Sequence, residues 1–363
     1  MFCTDAVAML RQLPLFLSRS FSRARSVTFL HHREALGDTL MLSALARNLK
    51  RVRPDVHIAV VTRRPELFYH NPNIDENRGW HLWRSGCIVG AKYSAKDLAG
   101  PLHAVEIQWR SLWRELAAVK FPGLKDGEIP PLDGIAPEMF LMEAELNAAR
   151  KKLSLIRTSG MPVVLIGAGG KLKPTHNREW GADNYQAIID ALSPFVTLGQ
   201  ISGETRLGLR GVQPLWDLRD IPVREAAALF AVCDAMLVQE GGLMHVARAV
   251  NAPCISLFGG FVLPRQTGYE QQTNFWGTPE CSPCIPLLKD CFHLKCMVGI
   301  TPRKILRALA EKIRERSGTV LPTDAIESAP DVWTPPPFVD RALLERELAA
   351  RGSSTEYVAM QYH

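Results

Sequence analysis

No stretch of this 363-residue chain approaches the run of about 18 uncharged apolar residues that a membrane-spanning helix needs, which argues against a helical membrane protein. A secretion signal is missing too. The apolar stretch in "MFCTDAVAMLRQLPLFLSRSFSRARS" is broken by Arg11, Gln12 and Pro14, and no small-residue cleavage site follows. The 1–25 segment reads instead as an amphipathic helix with a basic end, either packed on the body or a second subunit or touching anionic lipid. No repeat occurs at the periods of solenoids or propellers. Lysine and arginine are dispersed and no aromatic-basic strand motif appears, so a nucleic-acid module is the distant alternative despite a formal charge of +6. That mild excess suits an anionic ligand such as a nucleotide sugar, or an anionic membrane surface. Without a secretion signal, eight cysteines imply a reducing compartment, hence a cytoplasmic protein, with peripheral contact at the inner membrane face as an option.

What is present is alternation. With 47% apolar residues the chain can bury two cores of ordinary size. Ser26 to Leu30 reads as a strand, a helix opens near Asp38-Thr39 and runs to about Arg51, and His57 to Thr62 is a second strand. "LHAVEIQW" (Leu102 to Trp109) reads as a strand, with helical patterns at Ser111 to Lys120 and Pro137 to Leu155. After the linker-like "RTSGMP", strands at Val163, "FVTLGQIS", "AMLVQ" and "CISLFGG" alternate with helical runs. Strands and helices alternating in this way make parallel sheets covered on both faces. The expected architecture is therefore α/β: two Rossmann-like doubly wound domains facing a cleft, the arrangement called GT-B. The expected boundaries are 1–25 for the N-terminal segment, 26–157 for an acceptor domain, 162–320 for a donor domain and 321–363 for a Pro-rich tail with a helix.

Three segments carry chemistry. In "ALGDTLMLSAL", Asp38 follows a glycine where a strand gives way to a helix, the carboxyl-end position at which open α/β sheets bind ligands. It is either an N-cap or a functional carboxylate. In "AMLVQEGGLMHVARAV", a buried strand ends at Gln239 and a helix starts near Leu243; amides at Gly241, Gly242 and Leu243 can meet a diphosphate, with Glu240 beside them to accept sugar hydroxyls. His245 reads as a packed core histidine. In "GAGGKLKPTHNREW", a glycine-rich turn is followed by Lys171, Lys173, His176 and Arg178, cations beside backbone amides.

Taken as an ordered set, these segments resemble glycosyltransferase family 9, the ADP-heptose-dependent heptosyltransferases of lipopolysaccharide assembly. The resemblance spans roughly Val27 to Leu309 and rests on "ALGDTLMLSAL", "GAGGKLKPTHNREWGADNYQAII" and "EGGLMHVARAVNAPCISLFGG". It implies an inverting transferase that moves a sugar from a nucleotide-diphosphate donor to a hydroxyl of a glycan or lipid-linked glycan, without a cofactor in the chemistry. Asp38 would be the general base. Arg178 would contact donor phosphate where the family has lysine, and Glu240 stands at the family's aspartate. Gly241, Gly242 and Leu243 would supply phosphate-binding amides, and Glu204 would read the donor ribose. The departures, Glu for Asp, Gly241 for Ser/Thr and Arg for Lys, leave another donor sugar or a protein acceptor as the alternative.

"CSPCIPLLKDCFHLKC" places Cys281, Cys284, Cys291 and Cys296 in sixteen residues. The spacing suits a structural zinc or iron, or else reduced thiols packing a loop. Some members of the resembled family hold iron at similar cysteines, and both readings stay open.

Overall fold

The computed structural model describes residues 26–31, 35–79, 87–124, 128–157, 160–169, 178–201, 207–212, 222–277, 279–284 and 291–349. Among the described residues, nine strands form two all-parallel sheets. The first holds β1 (Ser26–His31), β2 (His57–Thr62), β3 (Glu76–Gly79) and β4 (Cys87–Val89) in the order β3-β2-β1-β4. The second holds β5 (Val163–Gly167), β6 (Thr197–Gln200), β7 (Ala235–Gln239), β8 (Cys254–Phe258) and β9 (Thr273–Trp276) in the order β6-β5-β7-β8-β9. This is the α/β, GT-B-like arrangement that the alternation predicts.

Continuous burial explains why the inner strands read as unbroken apolar runs. Every residue of β5, β7 and β8 is buried, and successive side chains go to opposite faces. Leu165, Met236 and Val238 join one core, which also takes in β1 and β2 through Val27, Phe29, Ile58 and Val60. Ile166, Ala235 and Leu237 join the other, against Ile188 and Ile189 of α5 (Ala182–Leu192) and Leu306 and Leu309 of α9 (Pro302–Ser317). The first core therefore runs without a break from one sheet to the other.

Three expected elements differ. The helix after β1, α1 (Leu36–Val52), starts two residues earlier than expected, and Ala35 is its N-cap. Leu102 to Trp109 is not a strand: after the short α2 (Ala95–Leu98), α3 runs over Ala104–Ala118. His103 caps it, its ring accepting from Val105 N at 3.2 Å while Glu106 returns a bond to His103 N at 2.7 Å. Val105, Trp109, Leu112, Trp113 and Leu116 are buried at helical spacing. A local alternation in "HAVEIQW" was overridden by that longer period. The helix expected over Pro137 to Leu155 is confined to α4 (Glu143–Ser154).

The stretch before α4 crosses between the sheets. Met139 N donates to Ala249 O at 3.1 Å. Arg224, on α6 (Val223–Val232), forks onto both oxygens of Glu145 at 2.7 Å and donates to Phe140 O and Glu66 O. A planar fork that meets a carboxylate and two carbonyls holds α4 and α6 in one register. No helix among the described residues is long and apolar enough to cross a membrane.

Candidate active site

The site forms where β1 and β7 end. Beyond β7 the chain turns through Glu240 and Gly241 into α7 (Gly242–Ala249). Gly241 has φ 149°, a backbone region that favours glycine, and it is the N-cap of α7. The α7 amino terminus faces that of α1: a Cβ placed on Gly37 would lie 2.3 Å from His245 Cδ2, and one on Gly242 would lie 3.0 Å from Leu36 Cβ. The glycines are there because two helix ends meet at van der Waals distance.

Asp38 sits at the third position of α1 and makes no cap bond. Its carboxylate Oδ1 accepts from the Tyr93 hydroxyl, and its charge acts across the seam on Glu240. Capping is thus removed as its structural explanation. Glu240 is buried and paired with Arg178, whose Nη1 lies 2.8 Å from Oε2 and donates to Glu240 O at 3.3 Å. Burial pushes the Glu240 carboxyl up; Arg178 and the Thr267 hydroxyl pull it back, and Asp38 adds to the rise. The Arg178 guanidinium carbon stands 4.4 Å from the Phe261 ring centroid, so the cation is fixed from two sides. Gln239 steadies the same loop, its Nε2 donating to Arg178 O at 3.0 Å.

His245 packs against Gly37 and Tyr269. Its Nδ1 lies 2.7 Å from the Tyr269 hydroxyl, and burial pushes its pKa down to about 3. It is a neutral, packed histidine, as expected. Tyr269 also meets the ring of His103, whose pKa burial pushes down to about 4.

The structure thus brings together Asp38, Arg178, Glu240, Gly241, Gly242 and Leu243. Lys171, Lys173 and Glu204 lie outside the described residues, as does the 1–25 segment. Tyr93, Phe261 and Thr267 escaped the sequence reading. Only Tyr93 had a signal nearby: the Ser94-x-x-Asp97 capping box, which marks a helix start one residue after it.

The four clustered cysteines share one neighbourhood, close enough for each to act on the Cys296 thiol. Even so, no group of three or more His, Cys, Asp or Glu among the described residues is arranged to hold a metal. Two of the thiols have separate partners. Gly260 N donates to Cys296 Sγ at 3.0 Å, and Cys291 Sγ lies 3.6 Å from His293 Nε2.

The sequence profile of glycosyltransferase family 9 (heptosyltransferase) matches residues 220–291, the segment holding β7, the Glu240 turn and α7. Lipooligosaccharide heptosyltransferase 2 of Haemophilus influenzae is 31% identical over 109 residues, a match covering 30% of this chain and 25% of that protein. The chain thus spans about a quarter of the length of that curated relative. Among solved structures, the ADP-heptose lipopolysaccharide heptosyltransferase II of E. coli is 16% identical with a TM-score of 0.56, covering 80% of this chain and 99% of that one. A family 9 glycosyltransferase from Veillonella parvula gives 15% and 0.55 over 80% and 97%. The iron-containing dodecameric glycosyltransferase TibC from enterotoxigenic E. coli gives 15% and 0.55 over 80% and 76%. These structural likenesses concern the fold. The likeness to glycosyltransferase family 9 is therefore one of fold, joined to a profile match on the segment that holds the Glu240 turn.

Proposed function

We propose that the chain transfers a heptose-type sugar from an ADP-linked donor to a hydroxyl of a lipopolysaccharide-type glycan, inverting the anomeric centre. The carrying observation is the position of Asp38, at the end of the first sheet and within electrostatic reach of the Glu240 turn. The donor diphosphate fits the α7 amino terminus, where the Gly241, Gly242 and Leu243 amides and Arg178 offer positive charge. Asp38 takes the proton of the acceptor hydroxyl as its oxygen attacks the anomeric carbon, and the bond to the diphosphate breaks on the opposite side. Glu240, held by Arg178, is placed to accept sugar hydroxyls. TibC has been solved with ADP-D-β-D-heptose, which supports the donor class.

The direct test is Asp38→Asn. Asparagine still accepts from Tyr93, and losing one acidic charge from a first helical turn costs roughly 0.3–1 kcal/mol. It cannot take a proton, so turnover should fall by about 10²–10⁴-fold while donor affinity persists. Near-normal turnover would remove Asp38 as the base. Because Arg178 and Glu240 replace the family's lysine and aspartate, a thermal-shift screen of ADP-, GDP- and UDP-sugars tests the donor; a rise with ADP-heptose alone is the expected result.

A further inference from the structure

Tyr93 reaches Asp38 from a loop anchored on both sides. Just past β4, the Gly90 and Ala91 amides donate to the Glu115 carboxylate on α3 at 2.8 and 3.2 Å, and the Ser111 hydroxyl donates to the same group at 3.1 Å. Ala91 has φ 43°, left-handed backbone that a non-glycine residue keeps only where its surroundings enforce it. On the other side, Ser94 and Asp97 close a capping box on α2, and the Leu98 carbonyl accepts from the side chain of Gln266, which belongs to the second half. Between these anchors the Tyr93 phenol is directed at one carboxylate oxygen of Asp38. It is the one hydrogen-bond partner of that carboxylate among the described residues.

We infer that Tyr93 is the positioning residue of the base: its hydroxyl fixes the rotation of the Asp38 carboxylate through Oδ1 and leaves Oδ2 to take the acceptor's proton. This rests on the reading of Asp38 as the general base. In the step, the acceptor O–H bond breaks and its proton goes to Oδ2. The freed electron pair forms the bond to the anomeric carbon. The bond from that carbon to the diphosphate oxygen breaks, and its pair leaves with the nucleotide. Tyr93 keeps its own proton throughout: burial first, then the charges of Asp38, Glu240 and Tyr269, raise the phenol well above its ordinary value. The groups around the pair are Tyr93 itself, Glu240 with its partner Arg178, and Tyr269. Without that donor the Asp38 carboxylate is free to turn about its bond to the side-chain methylene.

Tyr93→Phe keeps the ring and removes only the hydroxyl. Two measurements then separate this inference from the reading it rests on. The first is the carbon-13 NMR spectrum, at neutral pH, of the full chain labelled at aspartate carboxyls, with the Asp38 signal assigned by its loss in Asp38→Asn. That signal should move in Tyr93→Phe, whether or not any sugar is transferred, because the carboxylate has lost the Tyr93 donor. The second is kcat and donor KM with ADP-heptose and a glycan acceptor: kcat should fall by roughly tenfold with donor KM unchanged, as for a base that has lost its orientation. A wild-type chain inactive with every nucleotide sugar would overturn the proposed function, while the NMR signal would still decide the Tyr93–Asp38 contact. An unmoved Asp38 signal in folded Tyr93→Phe, or an unchanged kcat, would overturn the inference. Should Tyr93→Phe fail to fold, fluorotyrosine at position 93 gives a second reading: a more acidic hydroxyl is a stronger donor and should also move the Asp38 signal.

Discussion

Alanine at position 37 tests whether the two helix ends meet as described. Gly37 lies in the first turn of α1 with no left-handed φ, so its own backbone would accept alanine. On propensity alone the change should stabilise α1 by up to roughly 0.5–1 kcal/mol. The neighbour decides otherwise. The added Cβ would sit 2.3 Å from His245 Cδ2 and 2.8 Å from Nε2, where ordinary contact begins at 3.4 Å. The imidazole cannot swing aside cheaply, because it is buried and its Nδ1 is tied to Tyr269 at 2.7 Å. Relief therefore needs a displacement of about 1 Å between α1 and α7, and overpacking of this kind costs about 1–3 kcal/mol. The net expectation is a loss of roughly 0.5–2 kcal/mol in urea unfolding, with a larger loss of turnover because Asp38 moves away from the Glu240 turn. In an His245→Ala background the space is open, and Gly37→Ala should become neutral or stabilising. The double-mutant cycle isolates that contact. A Gly37→Ala protein more stable than wild type, or equally destabilised in both backgrounds, would refute the close approach.

Arg178→Ala should weaken nucleotide binding by more than about tenfold in calorimetry, since a charge-assisted contact contributes about 1.5–3 kcal/mol; unchanged affinity would take Arg178 out of the site. Glu240 has a raised pKa in the fold, so the stability it contributes is present at low pH and is lost as pH rises through that value. Relative to Glu240→Gln, the wild type should weaken on going from acid to neutral pH in denaturant titrations, and a flat difference would contradict the net effect of burial. His103 and His245 are pushed down to about 4 and about 3, whereas the unfolded chain protonates near the ordinary value of about 6.5. Stability should therefore fall as pH drops from about 6.5 to 4.5, by up to ~3 kcal/mol for each histidine, and His103→Gln and His245→Gln should each flatten the slope. Treatment with a chelator should leave donor affinity unchanged, because no proposed step passes through the cysteines at 281–296; a loss of affinity would join that cluster to the site.

The alternation of apolar runs and glycine-punctuated turns was enough to name the α/β class. It also located β2 and β7 at their observed ends, because a strand buried on both faces must be apolar throughout. The Glu240-Gly241-Gly242 turn was legible for a similar reason: glycine is required where a strand hands over tightly to a helix. What stayed hidden depends on residues far apart in the chain. "HAVEIQW" alternates locally like a strand, and only its burial against α1 and β4 through the 3.6-residue period makes it α3. Arg178 could be read as a phosphate contact, but its pairing with Glu240, 62 residues on, is a product of the fold. Tyr93 carries no periodic signal; it bonds to Asp38 across 55 residues because β4 lies beside β1 in the sheet order. Sequence by itself determined the buried inner strands β1, β2, β5, β7 and β8, where glycine must stand and which carboxylate follows the first strand's turn, since those follow from local sterics and apolar periodicity. Only the tertiary structure decided which of those turns face one another, because long-range strand order and helix-to-helix contact are set by packing of the whole core.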